Sequence, residues 1–260
     1  MLYIHNHGHT GDVPILFLHG GGYAGDMWND IINAMPGFNS IVVDLPGHGK
    51  SREVPLTTLA DAADAVAETL SSHWNGLGSI NVVGLSFGSY VGINLIIRFP
   101  HLVSSALLSG FAVDQIPNGW WLRVMGTMIS PIATQRWFRR LSEQSMNIPK
   151  GNAMDCWRDG PKTTPSTLRR ILQEVTRFEL SEEILESIST RILAVAGSQE
   201  HPAILQSLST LQSSLSNGMS GIAPELGHAW PAEAPDLFVS CVRSWIIRQE
   251  FPMGLTKLET

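Results

Sequence analysis

Short apolar runs that alternate with helical segments constrain the fold of this chain more than any other feature. Four such runs lie in the first 110 residues: 15–18, 41–43, 80–83 and 102–108. Continuous apolar runs are typical of strands buried on both faces of a parallel sheet. Helical patterns lie between them at 27–35, 59–74 and 86–99, and Pro100 ends the last one. The alternation predicts an α/β fold with a doubly wound, mostly parallel sheet.

The alternation stops between residues 110 and 179. This segment is rich in Trp, Met and Phe, contains five prolines and shows no clear strand pattern. We interpret it as a helical cap inserted over the C-terminal edge of the sheet. Strands at 191–196 and 219–223 and helices at 203–215 and 236–248 then resume the pattern, and the tail after Glu250 is expected to be loose. The predicted domains are a core of residues 1–109 and 180–260 and a cap of residues 110–179.

Composition limits the classes of partner. Of the 260 residues, 43% are apolar and 15% charged, and the formal net charge is −6 without a conspicuous block of Lys or Arg. Nucleic acid is therefore not an expected partner, because phosphate contacts need clustered positive charge. The polar start does not resemble a signal peptide, and no apolar run reaches the ~18 residues of a membrane span. These features predict a cytoplasmic protein without a transmembrane segment.

The strongest chemical signal is the segment Gly84-Leu85-Ser86-Phe87-Gly88, which follows a predicted strand and begins a predicted helix. It fits the pattern G-x-S-x-G, in which a turn too tight for larger neighbours holds the serine exposed at the top of the sheet. The positive end of the helix also lies beside the reaction centre. Ser86 is therefore predicted to be a nucleophile, rather than only the N-cap of a helix.

A serine nucleophile needs a base, and the base needs a carboxylate to orient it. His228 follows the last predicted strand of the core and so lies at the same sheet edge as Ser86. The loop after the preceding strand contains Glu200. The order serine, acid, histidine along the chain is the one that the G-x-S-x-G pattern requires.

These motifs together resemble the α/β-hydrolase superfamily over nearly the whole chain. The matching segments are 18–22 (LHGGG), 44–51 (DLPGHGKS), 84–88 (GLSFG), 197–200 (GSQE) and 227–228 (GH). Within the superfamily, the chain is similar to lidded esterases, lactonases and carbon–carbon bond hydrolases, whose cap follows the sixth strand. The resemblance implies a serine hydrolase that needs neither cofactor nor metal.

The resemblance leaves the triad acid open, because relatives more often carry Asp where this chain has Glu200. Some relatives place the acid after the sixth strand, and the residue of this chain that corresponds to that position is Asp114. Glu225 is a third candidate. Glu200 is the preferred assignment, and the carboxylate nearest Nδ1 of His228 decides among them.

The resemblance also assigns the backbone N–H groups of Phe87 and Gly21 to an oxyanion hole, which stabilises the negative charge that forms during acyl transfer. His19 and His48 are interpreted as structural residues of their turns. His5, His7 and His9 alternate and could hold a metal on one face of a strand, but an exposed first strand is the preferred interpretation. Cys156 and Cys241 are too far apart for a motif and are expected to be structural.

The expected reaction is hydrolysis of a small to medium apolar carboxylic ester or a lactone through an acyl-enzyme. Carbon–carbon bond hydrolysis and cofactor-free perhydrolysis are alternatives on the same triad. Epoxide hydrolysis and dehalogenation are disfavoured, because those relatives carry Asp where Ser86 stands. A ligand receptor with very slow turnover is an alternative of another class, and a partner-binding pseudo-enzyme is disfavoured by the complete triad.

Overall fold

The computed structural model describes residues 1–7, 13–73, 78–149, 151–152 and 162–258. His9 and Cys156 lie outside these ranges. A mixed sheet of eight strands runs through the molecule in the order β1-β3-β2-β4-β5-β6-β7-β8. The strands are β1 Ile4–His7, β2 Val13–Leu18, β3 Phe38–Val43, β4 Ile80–Leu85, β5 Val103–Ser109, β6 Arg191–Gly197, β7 Gly218–Ala223 and β8 Thr256–Lys257. Only the outermost pairs, β1 with β3 and β7 with β8, are antiparallel.

The side chains of successive residues in the central strands point to opposite faces of the sheet. In β2, Leu16 and Leu18 belong to one buried cluster, whereas Ile15 and Phe17 belong to the other. Side chains alternate across a strand, so a run that is apolar at every position needs cover on both faces. This arrangement confirms the predicted doubly wound α/β fold.

Ten α-helices are described. They are α1 Asn29–Asn33, α2 Leu59–His73, α3 Phe87–Arg98, α4 Gly119–Ala133, α5 Arg136–Ser145, α6 Pro165–Val175, α7 Glu182–Ser187, α8 Pro202–Ser214, α9 Trp230–Glu233 and α10 Pro235–Val242. A π-helical turn, Arg243–Arg248, continues α10, so the predicted closing helix has two parts. Residues of α2, α3 and α8 cover one face of the sheet, and residues of α1 and α10 cover the other.

Helices α4, α5 and α6 lie between β5 and β6, where the sequence predicts the cap. The preceding strand β5 is the fifth in chain order here, whereas the resemblance counts six. The N-terminus of helix α6 is capped. The Thr164 hydroxyl accepts a hydrogen bond from Thr167 N, and Pro165 occupies the first helical position. The division into a core of 1–109 and 180–260 and a cap of 110–179 remains a prediction.

The C-terminal tail differs from its expectation. Residues after Glu250 were expected to be loose, but Thr256 and Lys257 form β8, which pairs with Ile222 and Gly221 of β7. The strand covers an edge of the sheet that would otherwise present unpaired backbone groups. The prediction of a loose tail was therefore wrong.

At the other edge, β1 pairs with β3, and His5 Nε2 lies 3.3 Å from Asp44 Oδ1. Within the described ranges, no group of three His, Cys, Asp or Glu side chains is arranged to hold a metal ion. Cys241 is buried and free. In the same ranges, none of the helices combines the length and apolar character needed to cross a bilayer.

Candidate active site

The turn between β4 and α3 holds Ser86 in a rare backbone conformation. Ser86 has φ 54° and ψ −119°, a region that residues other than glycine seldom adopt. Its N–H donates to Ser109 O of β5 at 2.7 Å, which fixes the turn to the neighbouring strand. The turn thus presents Ser86 at the carboxyl edge of the sheet, where the sequence predicts it.

Close backbone packing explains the glycines on either side of Ser86. A methyl group on Gly84 would lie 2.9 Å from Gly88 O, and one on Gly88 would lie 2.1 Å from Leu18 O. Neither position can hold a larger residue unless the backbone moves. The G-x-S-x-G pattern is therefore a packing requirement of this turn.

His228 lies in the loop between β7 and α9, and its ring is held by Glu200. His228 Nδ1 lies 2.5 Å from Glu200 Oε2, and the Glu200 side chain is fully buried. A carboxylate only accepts, so Nδ1 carries the proton and Nε2 is left as the basic nitrogen. The second oxygen, Glu200 Oε1, accepts a hydrogen bond from Gly197 N at 3.1 Å.

The environment of His228 favours its protonated form. Burial lowers the pKa of His228, but the hydrogen bond that its Nδ1 donates to Glu200 and the negative charge of that carboxylate outweigh this effect. The pKa of His228 is therefore raised above its ordinary value. A stabilised imidazolium is what a base needs when it takes a proton in the transition state.

The other two candidate acids lie elsewhere. Asp114 Oδ2 accepts hydrogen bonds from Ser207 Oγ at 2.9 Å and Thr210 Oγ1 at 3.0 Å, both on α8. Glu225 is exposed, and its backbone N–H donates to Ser198 Oγ. Asp114 thus ties the chain after β5 to α8, and the carboxylate at Nδ1 of His228 is that of Glu200.

The two backbone N–H groups that the sequence analysis assigns to an oxyanion hole lie on neighbouring residues. Within the described residues, no acceptor lies on the backbone N–H of Gly21 or of Phe87, the first residue of α3. The two residues are neighbours, because a methyl group on Gly21 would lie 3.6 Å from Phe87 Cβ. The neighbouring Gly22 N–H, in contrast, donates to His48 Nε2 at 3.2 Å.

A pair of buried histidines holds this loop. His19 donates from Nδ1 to Gly20 O and accepts the Leu45 N–H at Nε2, both at 2.9 Å. His48 donates from Nδ1 to Pro46 O. Burial lowers the pKa of both rings, that of His48 to about 3. Both rings are therefore neutral, in agreement with a structural role for each.

Three contributors were not found by the sequence analysis. Arg139 of α5 donates to Gly22 O and so joins this helix to the loop of residues 19–22. Gly110 packs against His228, since a methyl group there would lie 2.7 Å from His228 Cε1. Ser109 Oγ accepts from Trp230 Nε1 at 2.7 Å, next to the His228 loop. Of these three residues, only Gly110 had a recognisable signal in the sequence, because it is a glycine directly after the end of a strand.

Ser86 and His228 face the same cavity of about 510 Å³. Its walls come mainly from apolar side chains of α4 and α6, among them Met125, Ile129 and Leu172. A cavity of this size holds a small organic molecule. The polar groups cluster at its floor, on the sheet edge, and the roof is apolar.

The fold and the arrangement at its sheet edge are those of an α/β hydrolase. The sequence matches the model of the Alpha/beta hydrolase family over residues 15–240, and the chain therefore belongs to this family. Membership supports an enzyme of the hydrolase class.

Two relatives match most of the chain. An AB hydrolase superfamily protein of Gibberella zeae is 25% identical over 252 residues, covering 94% of this chain and 83% of the relative. A pimeloyl-[acyl-carrier protein] methyl ester esterase of Nitrosomonas europaea is 26% identical over 247 residues, covering 89% and 95%.

Solved structures share the fold at lower identity. A thermophilic esterase of Thermogutta terrifontis superposes with a TM-score of 0.76 at 19% identity, covering 95% of this chain and 93% of the other. An α/β hydrolase from a Medee basin deep-sea metagenome has a TM-score of 0.79 at 16% identity, covering 100% and 96%.

Proposed function

We propose that this protein is a serine hydrolase that cleaves small to medium apolar carboxylic esters or lactones through an acyl-enzyme. The observation that carries the proposal is the meeting of Ser86 with a Glu200-bound His228 in one apolar cavity. A serine in a strained turn, a base and an orienting acid are the parts that nucleophilic acyl transfer needs.

In the proposed reaction, Ser86 Oγ attacks the substrate carbonyl while its proton passes to Nε2 of His228. Glu200 keeps the other ring nitrogen protonated and stabilises the imidazolium. The N–H groups of Gly21 and Phe87 donate to the oxyanion. His228 then protonates the leaving alcohol, activates a water molecule for attack on the acyl-enzyme, and returns the proton to Ser86 as the acid leaves.

The substrate class follows from the cavity. The walls contributed by α4 and α6 offer few hydrogen-bonding groups, and the Ser130 hydroxyl already donates to Thr127 O. Such a lining selects for apolar surface rather than for charge or hydroxyl groups. The relative from Nitrosomonas europaea, named as a methyl ester esterase, supports ester chemistry.

The test is hydrolysis of p-nitrophenyl butyrate by the Ser86→Ala variant. We expect a loss of about 10⁴-fold or more in kcat, the size seen when the nucleophile of such a triad is removed. Ser130→Ala is the matched control, because Ser130 lines the same cavity and has no part in the proposed chemistry. Undiminished turnover by Ser86→Ala, with the control active, would contradict the proposal.

A panel of esters, lactones and carbon–carbon ring-cleavage substrates separates the remaining alternatives. Steady-state turnover of esters or lactones supports the proposed hydrolase. Turnover confined to carbon–carbon substrates identifies the alternative reaction on the same triad. Tight binding with at most a single turnover identifies a ligand receptor.

A further inference from the structure

Helix α4 carries apolar side chains on two sides. Those on one side line the cavity, whereas those on the other are exposed to solvent in the part of the chain that the structure describes. Met125 and Ile129 point to the cavity. On the other side, Trp120 is 59% and Met128 70% exposed. Surface helices normally carry one apolar stripe, and a helix that is apolar all round is normally buried all round. The residues that the structure describes therefore leave the outer side of α4 without the cover that its composition predicts.

Helix α5, the next helix along the chain, also carries exposed apolar side chains. Trp137 and Leu141 are each 60% exposed and lie one turn apart. We use the term outer face for the exposed apolar residues of both helices that do not line the cavity: Trp120, Trp121, Val124, Met128, Ile132, Trp137 and Leu141. Five of these side chains are more than half exposed, and exposed apolar side chains that cluster on a surface mark binding sites.

The charge of the cap region has the opposite sign to that of the core. Residues 110–179 contain ten Lys and Arg against six Asp and Glu, whereas the rest of the chain contains seven against seventeen. Helix α4 has no acidic residue. On α5, the exposed Arg136 and Arg140 lie next to Trp137 on the helix surface. The outer face thus combines indole rings with positive charge on an otherwise acidic protein.

We propose that the outer face docks on an anionic lipid surface, with α4 and α5 lying in the plane of the headgroups. Tryptophan favours the boundary between headgroups and acyl chains, and arginine pairs with lipid phosphates. The negative surface potential of such a membrane attracts this face and repels the acidic core.

A second copy of the chain fits the outer face less well. A symmetric dimer through this surface would bring Arg136 and Arg140 of both copies to one interface, where like charges repel. An acidic protein would satisfy the arginines, but protein interfaces also need about one hydrogen bond per 100–200 Å². The outer face of α4 offers little beyond indole N–H groups, because the Thr127 hydroxyl already donates to Arg123 O.

Docking in this way would place the lipid beside the cavity. Helix α4 would have its outer face in the headgroups while its inner face still lines the cavity. One helix diameter, about 10 Å, then separates the two apolar phases.

Sedimentation of the full-length protein with vesicles tests the proposal. Vesicles of equal parts phosphatidylglycerol and phosphatidylcholine should bind the protein at least tenfold more tightly than pure phosphatidylcholine, since each arginine contributes about fivefold. The triple variant Trp120→Ser, Trp121→Ser, Trp137→Ser should lose at least tenfold in binding. The double variant Arg136→Gln, Arg140→Gln should bind both vesicles about equally.

Matched controls change exposed residues outside the cap region. Met253→Ser removes an apolar side chain that is 84% exposed, and Arg248→Gln removes an exposed arginine. Both should bind like the unchanged protein. Melting temperature and hydrolysis of a water-soluble ester confirm that the tryptophan and arginine variants are folded.

Three results would overturn the proposal. Vesicle binding that does not respond to the tryptophan substitutions means that the outer face is not the contact. Dimerisation in sedimentation velocity without vesicle binding, lost in the triple variant, assigns the face to a second copy. Binding to polyglutamate as tight as to the anionic vesicles assigns it to an acidic polymer or protein. The readout is binding, so none of these results bears on the proposed hydrolysis.

Discussion

The sheet edge and the cap region differ in how their side chains are packed and hydrogen-bonded. At the sheet edge, the polar atoms of Glu200, His19 and His48 have fixed partners and the surrounding side chains are buried. In the cap region, α4 carries mainly apolar side chains, and several apolar side chains of α4 and α5 are more than half exposed. Hydrogen bonds therefore fix the positions of the polar groups at the sheet edge, whereas the cap region exposes apolar surface to solvent.

This difference separates two kinds of consequence of a mutation. A change at the sheet edge disturbs positions that hydrogen bonds define to within tenths of an ångström, so it should affect the rate of chemistry. A change on α4 alters the shape or the surface of an apolar wall, so it should affect which substrate is used. Four experiments test this division.

The largest effect, on kcat, is expected from replacing Glu200, the predicted triad acid. Glu200→Gln removes the charge that holds the tautomer of His228 and should lower kcat by about 10⁴-fold, as loss of the triad carboxylate does elsewhere. Asp114→Asn is the matched control and should change kcat less than about threefold, because Asp114 contacts α8 instead. The reverse pattern would assign the acid to Asp114.

The next effect is on stability. Gly88→Ala places a methyl group 2.1 Å from Leu18 O and should lower the free energy of unfolding by about 3 kcal/mol or more. Gly78→Ala is the control, since no atom lies within 4 Å of the added group. Urea denaturation measures both. Equal stability of the two variants would show that the turn tolerates side chains and that packing does not explain its glycines.

A smaller effect is expected in the cap region. Ile129→Phe fills part of the cavity and should lower kcat/KM for long-chain p-nitrophenyl esters about tenfold, with butyrate little changed. Met128→Phe, on the exposed side of the same helix, should leave the chain-length profile unchanged. If both variants lower activity on all esters equally, the cap region shapes the chemistry and the division fails.

The smallest effect is a shift in pH dependence. His228 acts as a base only when neutral, so kcat/KM should fall as pH drops through its raised pKa. In Glu200→Gln the raising interactions weaken while burial remains, so the acidic limb of the residual activity should move to lower pH. His19 and His48 add no limb near neutrality, because their pKa values are lowered. If the acidic limb of the pH profile does not move in Glu200→Gln, Glu200 does not raise the pKa of His228.

The sequence sufficed for the six parallel strands, β2 to β7, and for the residues at their ends. Continuous apolar runs identify the buried strands, and parallel strands bring their carboxyl ends to one edge. Ser86, Glu200 and His228 could therefore be placed together from their positions alone, although their catalytic roles remain predictions. The sequence favoured Glu200 but left Asp114 open as an alternative, because both follow strands at that edge and side-chain direction distinguishes them.

Other features depend on contacts that leave no local pattern. The pairing of β8 with β7 rests on a two-residue strand, too short for its alternation to be recognised. The contact of Arg139 with Gly22 O joins residues 117 positions apart. The exposure of the outer face is invisible in the sequence, because Trp and Met in a helix indicate burial by default.

The contact between Arg139 and Gly22 O has a thermodynamic consequence. Any motion that lifts α5 from the core must break this hydrogen bond, so the position of α5 and that of the loop of residues 19–22 are linked. Linkage is reciprocal. A ligand that binds more tightly when the loop is held must also favour the seated helix, and by the same amount of free energy. Opening and reaction then behave as competing states of one equilibrium rather than as independent steps.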